Sequence, residues 1–276
     1  MRPDDTAPFE RITSPSNPLI KLMKTLHARK GRTETGLFLG EGLRQAMEAT
    51  EMGRRPAIVL FAPEARARSN ARAFLQEALQ GGARCVETTP SILQTVSKRD
   101  NAQTVVAAYA QSLNPLSDFT GATLIIALQG VRDPGNLGTI LRTADAIGAD
   151  GVALLDQACD PFAVEAVRAS MGSLFAVKLA RSAFEAFNAW RSEEGLQMIG
   201  LSLEGVLGPE AYDAGRPTVL LMGNEQSGLS PDNQAACDAL VKLPMKGRAD
   251  SLNLAVATAV IAYEHWRRRG YEGQRA

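Results

Sequence analysis

The chain has 276 residues, 45% of them apolar and 22% charged, with 30 basic and 30 acidic side chains. That is more than one average domain needs and enough for two cores, and a neutral chain can meet a nucleic acid only through a local basic patch. Three scattered cysteines without CxxC spacing and only two histidines argue against a disulfide framework, a structural zinc site and a histidine-based triad or metal cluster.

Residues 1–10 read as a short disordered leader. The first twenty residues are polar and proline-punctuated, and the most apolar run, residues 254–263, is about half a membrane span. Neither a secretory leader nor a membrane anchor is expected, and the expected location is the cytoplasm. From Pro18, the residues Leu19, Ile20, Leu22, Met23 and Leu26 have the spacing of an amphipathic helix. Lys21, Lys24, Arg29, Lys30 and Arg32 decorate its other side and its end. Counting Arg11, six basic and no acidic residues occur between Glu10 and Glu34. This face is either ordinary solvated helix surface or a phosphate-contacting surface.

Residues 36–49 predict a short strand followed by a helix. Further strands are predicted at 57–61, 84–88 and 104–110, with helices at 70–80 and 90–96. Together they form a small α/β domain over residues 11–110. The Asn-Pro, Ser-Asp and Gly of residues 111–121 mark a linker. A second domain, residues 122–270, alternates more regularly. Its strands are predicted at 123–129, 151–155, 174–179, 197–201, 218–222 and 240–243, and its longest helix at 251–269. Continuous apolar strands alternating with helices predict an α/β fold with a parallel sheet covered on both faces. Ligands gather beyond the carboxyl ends of such strands.

Three polar, glycine-rich loops fall there. In the first, Asp133-Pro134-Gly135 turns the chain into a helix that Asn136 can cap, with Arg142 about a turn and a half later. Alone, this is equally an N-cap and a surface arginine. The GxGxxG and GxxxxGK[ST] fingerprints are missing, which removes the usual support for dinucleotide and P-loop readings. The second loop carries Gly223 and Gly228 around one carboxylate, Glu225, which is either a solvated loop acid or part of a site. The third runs from Leu243 to a helix capped by Asp250 or Ser251, whose first turns are small or apolar. That helix suits a core contact or a dimer contact.

The order and spacing of these loops resemble the SpoU (TrmH-type) family of RNA ribose 2′-O-methyltransferases in the SPOUT superfamily. The similarity rests on Asn136-x-Gly138-x-x-x-Arg142, on Gly223-x-Glu225-x-x-Gly228-Leu229, and on Leu243-Pro244-Met245-x-Gly247 followed by Ser251-Leu252-Asn253. Residues 167–173 are also similar to a stretch typical of the family. Residues 36–49 resemble its accessory RNA-binding domain, so the resemblance extends from about Asn17 onward. Gly40 and Glu165 depart from the family pattern, outside the three motifs.

The resemblance implies a carboxyl-terminal methyltransferase domain with a trefoil knot and a smaller amino-terminal RNA-binding domain. It also implies S-adenosylmethionine as cofactor, a homodimer, and no metal. Main chain around Met222, Gly223, Leu243, Met245 and Leu252 would hold the cofactor, with Gly223 passing close to residues 243–247. Catalytic positions are Asn136, Arg142, Glu225, Ser251 and Asn253. The implied reaction moves a methyl group to a ribose 2′-hydroxyl, in ribosomal RNA before transfer RNA; a non-catalytic RNA-binding assembly factor is the rival. Arg142 matches the family's candidate base. Because guanidinium keeps its proton in proteins, its expected role is to bind a phosphate and stabilise developing alkoxide charge. Glu225 is expected to orient Arg142 or the RNA, and Asn136, Ser251 and Asn253 to fix the ribose. Lys21, Lys24, Arg29, Lys30 and Arg32 are the expected RNA contacts.

Overall fold

The structure, a computed structural model, describes residues 9–275. The chain divides into two units: the chain up to Gln111 together with Phe162–Arg168, and Ser112–Pro161 together with the chain from Ala169 onward.

The first unit comprises β1 (Glu10–Ile12), α1 (Pro18–Thr25), α2 (Arg29–Thr35), β2 (Leu37–Glu41), α3 (Leu43–Glu51), β3 (Pro56–Phe61), α4 (Pro63–Arg66), α5 (Ser69–Gln80), β4 (Arg84–Thr88), α6 (Pro90–Ser97) and β5 (Val105–Ala110). Its sheet has the order β1-β4-β3-β5-β2. The β4 strand runs parallel to β1 and β3, and β5 antiparallel to β3 and β2. Asn17 starts α1 by accepting from the Leu19 N–H at 2.9 Å, and Pro18 takes the first helical position. The apolar stripe of α1 is buried with Leu60, Val86 and Val106 of the sheet.

Most of the expected disordered leader lies outside the described residues. Glu10 does not belong to it, because it opens β1 and pairs with Arg84 at 2.9 Å. The α2 helix was not legible because its sequence, RKGRTET, carries no apolar period.

The second unit begins with a 3₁₀ turn at Leu116–Phe119 and continues through β6 (Leu124–Gln129), α7 (Pro134–Ile147), β7 (Gly151–Leu155), α8 (Val164–Ser170, shared with the first unit), α9 (Ser173–Ala176), β8 (Leu179–Ser182), α10 (Phe184–Glu193), β9 (Gln197–Leu201), β10 (Thr218–Met222), α11 (Pro231–Ala235), β11 (Ala239–Val241) and α12 (Leu254–Arg268). The strand expected at 174–179 is instead α9 followed by β8. Four apolar residues are too few for periodicity to separate helix from strand. The linker expected at 111–121 packs on this unit from Ser112 onward. Phe119 is buried in its core, and the Asn114 N–H donates to the Leu179 carbonyl at 2.7 Å.

The second sheet is entirely parallel, with the order β11-β9-β10-β6-β7-β8. Every residue of β7 and β10 is buried, as a sheet covered on both faces requires. From β6 the chain steps outward to β7 and β8, then returns to the other side for β9, β10 and β11. The direction therefore reverses between β6 and β10, which run in register with Leu128 opposite Met222. Crevices at such reversals are where open α/β sheets bind ligands. Among the described residues no helix is long and apolar enough to cross a membrane, and no group of three or more His, Cys, Asp or Glu is placed to hold a metal ion.

Candidate active site

At the carboxyl end of β6 the chain turns through residues 130–133 into α7. Asp133 caps this helix, accepting from the Asn136 N–H at 2.6 Å, and Pro134 occupies the first helical position. The cap expected at Asn136 is therefore corrected: both residue types cap well, and proline fixes the boundary. Asn136 falls inside the first turn, and its side chain is free for other work.

That side chain joins two distant loops. Its Nδ2 donates to Glu225 Oε1 at 3.3 Å, and its Oδ1 accepts from Asn253 Nδ2 at 2.9 Å. Asn253 in turn caps α12, accepting from the Ala255 and Val256 N–H groups at 2.9 and 3.3 Å. The cap expected at Asp250 or Ser251 is corrected to Asn253, and the helix begins at Leu254. These contacts fix both amide orientations: Asn253 spends its oxygen on the helix, so its NH₂ faces Asn136, whose own NH₂ must face the carboxylate.

Glu225 also accepts from the main-chain N–H groups of Arg132, at 3.3 and 3.2 Å, and of Asp133, at 3.1 Å. Glu225 was expected to orient Arg142 or the RNA; among the described residues no contact joins it to Arg142. The carboxylate gathers the loop in front of α7, where unpaired N–H groups favour negative charge.

Glu225 stands in a tight turn in which the N–H groups of Asn224 and Gly228 each donate to the other's carbonyl at 3.0 Å. A Cβ on Gly223 would lie 2.3 Å from the Gly228 carbonyl carbon. Gly223 is therefore small because the turn folds back on it; the nearest atoms are those of Gly228 and Leu229, not of residues 243–247.

Beside this turn, beyond β9, β10 and β11, lies a cavity of about 310 Å³, within the range of small-ligand sites. Met222, Gly223, Leu243, Met245 and Leu252, the five expected cofactor positions, all line it, as do Ser251 and Glu225. Its walls mix apolar side chains, Leu201, Leu229, Leu254 and Ala257 besides, with nearly as much polar surface, and no lining residue is cationic. Among the described residues, the main chain of residues 243–252 makes no hydrogen bond. The walls thus combine apolar surface with main-chain polar groups that have no internal partner. That donor set fits an adenosyl group bearing a positive sulfur.

The cavity is also lined by Ser202, Leu203 and Glu204, which belong to none of the motifs read from the sequence. Their one legible signal was their place directly after an apolar strand.

Arg142 is not brought into this cluster. It is exposed on another face of α7, outside the cavity lining, and forms no hydrogen bond or ion pair among the described residues. Cys159 lies against the loop before α7, its N–H donating to the Val131 carbonyl at 2.8 Å. Burial, and then the Glu225 carboxylate, push its thiol up to about 11, which leaves no thiolate nucleophile there.

In the first unit, Lys21, Arg29 and Lys30 are exposed and Lys24 half-buried. Arg32 departs from its expected role as an RNA contact. It is 4% exposed, and its guanidinium donates to the Leu26 and His27 carbonyls at 2.9 Å, holding the end of α1.

Residues 123–263 match the SpoU rRNA Methylase family, and residues 17–107 match an MRM3-like substrate binding domain. The 23S rRNA (guanosine(2553)-2′-O)-methyltransferase RlmP of Bacillus subtilis is 30% identical over 92% of this chain and 98% of its own length. The 23S rRNA (uridine(2479)-2′-O)-methyltransferase of Streptomyces viridochromogenes is 31% identical over 97% of this chain and 96% of its own. Among solved structures, the AdoMet-bound rRNA methyltransferase from Sinorhizobium meliloti is 38% identical with a TM-score of 0.86, over 94% of this chain and 98% of that one. The α/β fold is that of these relatives, an amino-terminal substrate-binding domain followed by a SpoU domain. With that family's model matching over half of its length and such relatives matching nearly all of it, the chain belongs to the SpoU rRNA methylase family.

Proposed function

We propose that this protein transfers a methyl group from S-adenosylmethionine to a ribose 2′-hydroxyl of ribosomal RNA. The observation that carries the reading is the Glu225–Asn136–Asn253 chain of hydrogen bonds beside a cavity of adenosyl size. The names of the relatives, 23S rRNA 2′-O-methyltransferases, support the substrate class.

When bound, S-adenosylmethionine supplies an electrophilic methyl group on a positively charged sulfur. The residues do the rest. Met222, Gly223, Leu243, Met245 and Leu252 hold the adenosyl group through apolar contact and main-chain hydrogen bonds. Glu225 and Asn136 lock the loop before α7 to the turn after β10, so that the ribose meets a pre-set surface. Ser251 and Asn253 hold the sugar from the α12 side. Arg142, whose guanidinium has no partner among the described residues, binds the adjacent phosphate and stabilises charge on the 2′-oxygen as its proton leaves to solvent.

The reading extends to the whole assembly. Residues 122–270 form the methyltransferase domain, its cofactor loops threaded as a trefoil knot, and residues 11–110 present RNA through Lys21, Lys24, Arg29 and Lys30. Two copies pair through α12, where the apolar Val256, Val260 and Tyr263 are 50%, 45% and 44% exposed. The protein works in the cytoplasm, where ribosomal RNA is available.

The test uses purified protein, ribosomal RNA and methyl-labelled S-adenosylmethionine, followed by alkaline hydrolysis. A 2′-O-methyl group blocks cleavage at its nucleotide, so label is expected in alkali-resistant dinucleotides. Label confined to mononucleotides would mean that bases are methylated, and the 2′-hydroxyl assignment would fall.

A further inference from the structure

Two carboxylates line the cavity, Glu204 and Glu225, and no lysine, arginine or histidine is among the lining residues. Their situations differ. The Glu225 oxygens are occupied by the N–H groups of Arg132, Asp133 and Asn136. The Glu204 carboxylate has neither a hydrogen bond nor an ion pair among the described residues, although it is free to recruit one in water.

The loop that carries Glu204 is fixed. The Glu204 N–H donates to Ser202 Oγ at 3.1 Å, and the Ser202 N–H to the Val241 carbonyl at 3.0 Å. A Cβ on Gly205 would lie 2.9 Å from the Val241 carbonyl carbon, so the loop lies flat against β11. Farther on, Arg268 of α12 donates to the Pro209 carbonyl at 2.8 Å and to that of Tyr212, and packs over the Tyr212 ring. The backbone that carries Glu204 is thus anchored, which keeps its negative charge at the wall of a cavity that no cationic side chain lines. Such a wall favours a cationic occupant over a neutral one of the same shape.

Resting on the methyl-transfer reading, we propose that Glu204 is a specificity residue that lets the cavity tell the sulfonium donor from its thioether product. In the transfer, a bond forms between the ribose oxygen and the methyl carbon, and the carbon–sulfur bond breaks with its electron pair left on sulfur. The hydroxyl proton goes to solvent. Sulfur passes from positive to neutral, while the adenosine and amino-acid parts are unchanged. Glu204 therefore attracts the donor and loses that attraction once the product has formed, which speeds product release without any movement of the fold.

The experiment is calorimetric titration of the full chain with three compounds: S-adenosylmethionine, S-adenosylhomocysteine, and sinefungin, which carries an ammonium in place of the sulfonium. Wild type is expected to bind both cationic compounds about fivefold more tightly than the thioether, the size of attraction expected across a solvent-exposed wall. Glu204→Gln should bring the ratio to about one while leaving the thioether's Kd within about twofold, and Glu204→Asp should retain most of the preference. The preference of wild type should also narrow as salt is raised, a readout that needs no variant. If Glu204→Gln weakens all three compounds alike, or leaves the ratio unchanged, the proposal is overturned and the methyl-transfer reading stands. Wild-type protein that binds none of the three overturns both.

Discussion

At the scale of single residues, the site separates groups that build the surface from groups left free to act on substrate. Glu225, Asn136 and Asn253 spend their hydrogen-bonding capacity on one another and on the main chain. Arg142 spends none. Arg142→Ala is accordingly expected to lower methyl transfer by at least about a hundredfold, the scale of losing one stabiliser of developing charge. Calorimetry should find the affinity for S-adenosylmethionine within about twofold of wild type, since Arg142 lies outside the cavity. A variant that still turned over normally would remove Arg142 from the mechanism.

The grouping of the three loops was legible in the sequence, whereas Arg142, expected among them, stands outside the cluster. The role of Glu225 was not legible. Its partners are chiefly main-chain N–H groups, which no residue pattern encodes, and the family resemblance suggested only that it would orient Arg142 or the RNA. The two displaced caps have a similar origin. Asp133 and Asn136, like Asp250, Ser251 and Asn253, are all competent caps, and the choice among them depends on contacts made across the fold.

At the scale of elements, the site depends on the amino ends of α7 and α12 being tied together by the Asn136–Asn253 bond. Asn253 has two tasks that substitution can separate. Asn253→Ala removes the cap of α12 and should cost about 1 kcal/mol in denaturant unfolding. Asn253→Asp keeps an oxygen for the Ala255 N–H and should recover most of that stability. It cannot donate to Asn136 Oδ1, and Asn136 cannot turn its amide without setting its oxygen against Glu225. Transfer should therefore stay low in both variants. An Asp variant as active as wild type would show that the tie between the helices is dispensable.

On α1, the pair Lys21→Glu and Lys24→Glu reverses charge on the side opposite the buried Leu19, Ile20 and Met23. RNA affinity should fall by at least about tenfold at low salt, with cofactor affinity unchanged. Unaltered RNA binding would reduce that face to solvated surface. Which elements could be read in advance follows from physics. The runs at Gly151–Leu155, Gln197–Leu201 and Thr218–Met222 are short, apolar and bounded by turn residues or charge, and the expected and observed strands coincide. The α2 and α9 helices have too little apolar periodicity in so few residues for a pattern to register.

At the scale of the whole molecule, stability should carry an acid-side signature from α12. His265 is 1% exposed, with Nδ1 3.2 Å from the Tyr212 hydroxyl and Nε2 without a partner among the described residues. Burial first, and then the charges of Arg269 and Arg268, push its pKa down to about 4. The unfolded chain takes up this proton near pH 6.5 while the folded one resists it. The contribution is therefore complete above about pH 6.5 and is lost as pH falls toward 4, on the order of 3 kcal/mol across the window. Burial shifts His27 in the same direction. Urea unfolding between pH 7 and pH 5 should thus show stability falling with acid, less steeply in His265→Phe. An equal slope in the variant would contradict the assignment.

The domain plan was legible where a core has its own period and turns. It was less so at residues 111–121, where Phe119 turns a linker-like composition into core, and at Phe162–Arg168. There Phe162 packs on Phe38, and Arg168 pairs with Glu41 at 2.7 Å within the first unit. Such contacts join residues far apart in sequence and leave no local signal.

The most direct measurement is a map of 2′-O-methylation along ribosomal RNA from cells that contain this protein, cells that lack it, and cells that carry only the Arg142→Ala form. The account predicts a ribose methyl group that is present in the first and missing from the other two. Identical maps from all three would contradict it.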